Sequence, residues 1–202
     1  MIQGTEEWLN ARLGFVTGSR IIDIMPGVKG KYRASRGNYM AEKVIEILTK
    51  KPTVHFVSET MQWGTDNEPL ARSSYEAVTE NFVDEDGFII HPTIPNLGAS
   101  PDGIVDPDGC IEIKCPNTAT HLTTLLTGNI KRDYIMQMQC EMMCINRQWC
   151  DFVSFDPRMP ANLQLYIKRI ERDETLIMEI EYEVKKFQDE LQFMLEKIKG
   201  IK

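Results

Sequence analysis

The chain has 202 residues, 42% of them hydrophobic and 26% charged, with a formal net charge of −7. This size and balance suit one domain with its own core over residues 1–202 and exclude a disordered, collagenous or wholly coiled-coil chain. No run approaches the ~20 consecutive apolar residues of a membrane span. The start, Met1-Ile2-Gln3-Gly4-Thr5-Glu6-Glu7, has no basic cluster or apolar run, so no secretory signal is expected and the protein should stay in the cytoplasm, without a membrane partner.

In chain order, Thr5 is expected to cap a short helix that ends near Gly14. Thr17-Gly18-Ser19 then caps a second, from Arg20 to about Met25. Pro26 to Gly37, rich in Gly and Lys, lacks an apolar period and predicts an exposed, mobile loop. Met40, Val44, Ile45 and Leu48 set a helical period over Asn38 to Thr49. Asp66 to Glu80 predicts a further helix, with Pro69 in its first turn. The period then changes to short strands: Phe82-Val83, Phe88–Ile90, Leu97–Ala99, Gly103–Val105 and Cys110–Lys114, with a hairpin turn at Asp108-Gly109. A helix from about Asp133 to Asn146, strands over Trp149–Phe155 and Leu163–Ile170, and an amphipathic helix over Glu174–Lys199 complete the chain. This order predicts an α/β or α+β core around a mixed sheet.

Charge is unevenly spread. Nine bases and three acids lie between Arg12 and Lys51, a local charge of +6 that leaves −13 for the remainder. A basic quarter on an acidic body could grip phosphate with one face. The five cysteines form no CxxC, and with His55, His91 and His121 they show no zinc spacing. Buried, reduced thiols are expected, including Cys140 and Cys144 on one helical face.

The stretch Ser100-Pro101-Asp102 to Cys110-Ile111-Glu112-Ile113-Lys114 carries the chemistry. A hairpin lets Asp102 and Glu112 meet at one point. Glu112 and Lys114 share one strand face, while Ile111 and Ile113 point into the core. Paired carboxylates bind a hard cation such as Mg²⁺, which polarises a phosphodiester and activates water. A lysine beside them can orient that water and offset charge in the transition state. A purely structural calcium site has no use for such a cation.

Asp102…Glu112-Ile113-Lys114 resembles the PD-(D/E)XK nuclease signature. The chain more particularly resembles the phage lambda exonuclease type, the YqaJ-like viral recombinase family. The resemblance runs from Glu7-Trp8-Leu9…Arg12-Leu13-Gly14…Thr17-Gly18-Ser19 through Trp63-Gly64-Thr65-Asp66-Asn67-Glu68. It continues through Ala99–Gly103, Glu112–Pro116 and Tyr134–Gln139 to Phe155–Met159, in family order. It implies a restriction-endonuclease-like core, a mixed central β-sheet flanked by helices.

The resemblance also implies roles. Asp102, Glu112 and the Ile113 backbone carbonyl match metal ligands, for Mg²⁺ with Mn²⁺ as substitute and two ions per site. Lys114 matches the catalytic lysine, Glu68 the acid that completes the site, and Gln139 a glutamine near the attacking water. Gln137, two residues earlier, fits a polar helix edge better. Arg12, Thr17, Ser19 and Ser100 match positions that hold the 5′-phosphate of the cut strand. A further family arginine falls on Thr120, where His121 or a base from the Pro26–Gly37 loop could compensate. Met61 matches a wedge between the strands of the duplex end, or is a core methionine. The implied activity is 5′-to-3′ degradation of one strand of double-stranded DNA to 5′-mononucleotides. It leaves a 3′ overhang for a single-strand annealing partner, and the implied assembly is a ring-shaped homotrimer in a bacterial cell, phage or prophage encoded. The alternatives are a restriction-type or structure-specific endonuclease, which needs no 5′-phosphate pocket, and a catalytically silent DNA-binding or assembly module, against which the intact Glu68, Asp102, Glu112 and Lys114 set argues.

Overall fold

A computed structural model describes residues 2–27, 29–53 and 56–201; His55 lies outside them. Seven α-helices and eight strands are named among these residues. The helices are α1 (Glu6–Ala11), α2 (Ile21–Ile24), α3 (Ala34–Thr49), α4 (Glu59–Thr79), α5 (Thr118–Thr127), α6 (Arg132–Ile145) and α7 (Glu174–Lys199). The strands are β1 (Val16–Thr17), β2 (Val83–Asp84), β3 (Ile89–Ile90), β4 (Leu97–Ala99), β5 (Gly103–Val105), β6 (Gly109–Lys114), β7 (Trp149–Phe155) and β8 (Leu165–Glu171).

The expected mixed sheet is present. Five strands run in the order β2-β5-β6-β7-β8, with β6 and β7 parallel and the other pairs antiparallel. A smaller sheet, β1-β4-β3, lies beside it. The strand pleat sorts β6 and β7 onto two faces. Ile111, Ile113, Val153 and Phe155 meet Ala71 and Tyr75 of α4. Cys110, Cys150 and Phe152 meet Met138 and Met142 of α6. Tyr75 also donates its hydroxyl hydrogen to Asp151 Oδ2 at 2.8 Å, tying α4 to β7. A third cluster joins α2, α3, α6 and α7 to β4, with Ile21, Tyr39, Cys140 and Phe187 at its centre. All five cysteines are buried and free. Among the described residues no helix is long and apolar enough to cross a membrane.

Several local expectations shift. The loop after Pro26 is shorter, because α3 already starts at Ala34. Helix α4 starts seven residues before the expected Asp66, where the Ser58 hydroxyl accepts from Met61 N–H. Pro69 therefore lies inside the helix rather than in its first turn. It removes one helical hydrogen bond at a cost of ~3 kcal/mol, which burial of Ala71 and Tyr75 offsets. The hairpin turns at Asp106-Pro107-Asp108, with Asp106 at φ 51°, and Val105 pairs with Gly109. Gly109 belongs to β6, where a Cβ would come within 2.1 Å of the Trp149 ring. The unexpected α5 is threonine-rich and gives little apolar contrast. Its signals are its ends: Asn117 accepts from Thr120 N–H, and Gly128 closes the helix at φ 63°. Ser19 caps nothing; it is exposed in a single 3-10 turn, Gly18–Arg20, between β1 and α2.

The basic quarter is partly consumed inside the fold. Lys43 pairs with Glu46 at 2.6 Å, Arg20 with Glu42 at 3.1 Å, and Arg36 pairs with Glu190. Lys29, Lys31, Lys50 and Lys51 remain exposed.

Candidate active site

The β5–β6 register places Gly103 opposite Ile111, so Asp102 enters the hairpin beside Glu112 and Ile113. Asp102 Oδ2 accepts from Ile113 N–H at 2.7 Å. Glu112 is wholly buried, and its Oε1 accepts from the Lys114 ammonium. Glu68 reaches this pair from α4, and Arg72 holds it there: one guanidinium donates to Glu68 Oε1 at 2.8 Å and to the Asp102 carbonyl at 3.1 Å. Arg72 is one turn after Glu68, a spacing that could have marked it in the sequence.

Gln139 is not part of this cluster. Its amide is buried elsewhere, donating to the Glu171 carbonyl at 2.8 Å and accepting from Asp173 N–H at 2.9 Å. It joins the end of β8 to the cap of α7. Gln137 instead faces the site, donating to Glu141 Oε1 at 2.9 Å. Glu141 escaped notice because it sits in an apolar stretch, Cys140-Glu141-Met142-Met143, with nothing local to show what it faces.

Carboxylates crowd the cluster. Burial, and then the charge of Glu112, push Asp102 and Glu141 well above the usual carboxylate range. Burial also raises Glu68, against the pull of Arg72. Burial disfavours the Lys114 ammonium, but Glu112 and Asp102 outweigh it and raise its pKa. One oxygen of Glu112 and one of Glu141 are buried without a hydrogen-bond partner. Glu68, Asp102, Glu112 and Glu141, with Glu85 paired to Arg72 at 2.8 Å, thus set five carboxylates against two cations, Lys114 and Arg72, with hard oxygens to spare. That donor set suits Mg²⁺ or Mn²⁺. Among the described residues no three such side chains converge at metal spacing; Glu112 bonds Lys114 and Asp102 bonds the Ile113 N–H.

A cleft of about 1210 Å³ adjoins the cluster, and Glu68, Arg72 and Asp102 line it together with Arg12, Thr17, Ser19 and Met61. Arg12 lies 3.7 Å over the Trp8 ring and donates to Ser19 Oγ at 3.4 Å. Burial lowers its pKa to about 10, so it remains a cation at neutral pH. The Trp8 indole N–H donates to Ser100 Oγ at 3.0 Å, linking Ser100 to Arg12. Thr17 is buried, its N–H bonded to the Tyr39 hydroxyl at 3.1 Å. Met61 is 54% exposed, which removes the core alternative.

His121 cannot substitute for the missing arginine. It is buried, with Nδ1 2.8 Å from Ser154 Oγ and Nε2 2.8 Å from the Leu163 carbonyl. At Thr120 the backbone N–H serves the Asn117 cap at 2.9 Å. In the Phe155–Met159 block, Arg158 clasps Asp156 and lies 4.4 Å over Trp63. That clasp, with a hydroxyl bond from Thr118, lowers Asp156 to about 2.

The family model described as the YqaJ-like viral recombinase domain matches residues 7–148. An alkaline exonuclease (LHK-Exo) from Laribacter hongkongensis is 51% identical, with 96% of each chain covered and a TM-score of 0.91. LHK-Exo in complex with dAMP matches at 52% identity, again over 96% of each chain, with a TM-score of 0.90. A phage related exonuclease from Haemophilus somnus 129PT is 16% identical over 91% of this chain and 96% of its own; its TM-score of 0.70 shows a shared fold. No curated protein matches the chain.

Proposed function

The chain belongs to the YqaJ-like viral recombinase family, and from that membership we propose that it is a metal-dependent 5′-to-3′ exonuclease acting on double-stranded DNA ends. It releases 5′-mononucleotides and leaves a 3′ single-stranded overhang. One nuclease domain spans residues 1–202, and the working form is a ring-shaped homotrimer in a bacterial cytoplasm, paired with a single-strand annealing protein. The observation that carries the activity is the shared cleft, which Asp102 and Glu68 line together with Arg12, Thr17 and Ser19. A terminal phosphate held by Arg12 would set the adjacent phosphodiester beside the carboxylates. An endonuclease has no use for that second group. The similarity to LHK-Exo, of which a dAMP complex is known, agrees with release of mononucleotides.

Asp102, Glu112 and the Ile113 carbonyl would hold the Mg²⁺ or Mn²⁺, two ions per site in this proposal, supplying Lewis-acid charge and lowering the pKa of water. Glu68 completes the acidic wall, and Arg72 fixes its carboxylate. Lys114 keeps a positive charge beside the reacting phosphate, where a preorganised cation is worth most. Arg12 binds the terminal phosphate through charge-assisted hydrogen bonds, aided by Ser19, Ser100 and Thr17. Met61, at the mouth, separates the strands.

The test compares initial rates on linear duplexes with 5′-phosphate or 5′-hydroxyl ends and on a closed circle, with Mg²⁺ or EDTA. Phosphorylated ends should be degraded faster, the circle left intact, and EDTA should stop all turnover. Arg12→Ala should remove most of the end preference while activity on 5′-hydroxyl ends survives. Rapid nicking of the circle, or equal rates on both ends, would favour an endonuclease.

A further inference from the structure

The cluster holds one carboxylate more than the metal-binding pair, Glu68 and Lys114 require. Glu141 rises from the middle of α6 with 1% of its surface exposed. A Cβ at Gly18 would come within 3.7 Å of Glu141 Cγ and 3.3 Å of Ala99 Cβ, so the turn carrying Ser19 also walls in this side chain. Gln137 holds Oε1, and Oε2 has no partner. Among the described residues the other buried carboxylate oxygen without a partner is Glu112 Oε2. The Lys114 ammonium lies 5.2 Å over the ring of Tyr134 on α6, the helix that carries Glu141, and the charge of Glu141 adds to the larger pull of Glu112 on it. A buried oxygen without a donor costs free energy, so such groups persist where a function needs them.

The lysine connects the two. Its ammonium now donates to Glu112 Oε1. A divalent cation on the free Oε2 of Glu112 would set two positive charges on one carboxylate and weaken the hold of Oε1 on that ammonium. Lysine has a flexible stem and three donors, so it needs another acceptor within reach if it is to stay charged and aimed at the site. We propose that Glu141 is a positioning residue, the second acceptor that takes the Lys114 ammonium when Glu112 ligates a divalent cation. Gln137 fixes the receiving carboxylate by holding its other oxygen. This proposal rests on the metal-dependent hydrolysis proposed above.

The experiment uses the full chain and reads Mg²⁺ binding by calorimetry with MgCl₂ alone, then kcat and KM on a phosphorylated duplex. In Glu141→Gln, Mg²⁺ affinity should stay within about twofold and KM should hold, while kcat falls about tenfold. In a Lys114→Met background the same change should cost nothing more, because partners in one interaction are not additive. Glu141→Asp should recover part of the rate, and if Glu141→Gln does not fold, Glu141→Asp carries the test with a fall of about threefold. A tenfold loss of Mg²⁺ affinity would make Glu141 a ligand instead. An unchanged kcat, or full additivity with Lys114→Met, would also overturn the proposal. No turnover by the native chain would sink the hydrolysis itself, and this proposal with it.

Discussion

Lys114 is the residue on which the proposed chemistry turns. It sits on the open end of β6 with its ammonium among Glu112, Asp102 and Glu68. Lys114→Ala should lower kcat by ~10²-fold or more, as loss of a preorganised charge does, while duplex affinity changes much less. Equal losses in rate and affinity would make it a phosphate anchor. Asp102, Glu112 and Lys114 were legible because a hairpin and a two-residue pleat fix their relations locally. The glutamine was not. Gln137 and Gln139 differ by about 200° around the helix axis, and only the packing of α6 against the sheet and α7 decides which one faces the site. Ser19 and Ser100 were legible as residues, but the Trp8 bridge between Ser100 and Arg12 depends on contacts about ninety positions apart.

At the scale of elements, Gln139 shows what a misplaced role is worth. Its amide bonds the backbone of Glu171 and Asp173, so it fastens β8 to the start of α7. Gln139→Leu should therefore destabilise the fold by about 1–3 kcal/mol, the cost of stranding buried polar groups. For a chain of this size that lowers Tm by several degrees, with kcat near native. A tenfold loss of kcat at unchanged Tm would return Gln139 to the chemistry. The strongly periodic elements were legible: α7 has the expected bounds, and β7 runs over the expected Trp149–Phe155. Short strand β1 was not, because two residues carry no period and its partner, Leu97-Gly98, lies some eighty residues away. The early start of α4 was masked by Pro69, which reads locally as a first-turn residue.

At the scale of the whole molecule, the question is assembly. The apolar stripe of α7, including Ile180, Val184, Phe187 and Leu191, is buried inside the chain, so it does not supply a subunit interface. Other apolar side chains remain on the surface, among them Phe82, Leu70 and Val78 near α4 and Tyr182 and Phe193 on α7. Light scattering should give a mass about three times 23.2 kDa. A monomer that degrades long duplexes processively would refute the ring. The overall charge of −7 agrees with a DNA enzyme only if cations are concentrated where DNA runs. The fold narrows that supply, since Lys43, Arg36 and Arg20 are spent on internal carboxylates.

The sequence by itself determined the mixed sheet, most of its strands and the meeting of Asp102, Glu112 and Lys114, because strand alternation and hairpin pairing act over a few residues. The tertiary structure alone decided which of α6's polar side chains enter the site, that His121 belongs to the core, and that Arg12 reaches the same cleft as Glu68. Those outcomes depend on how a helix is rotated and docked by distant apolar contacts, and a local pattern of residues holds no record of that rotation.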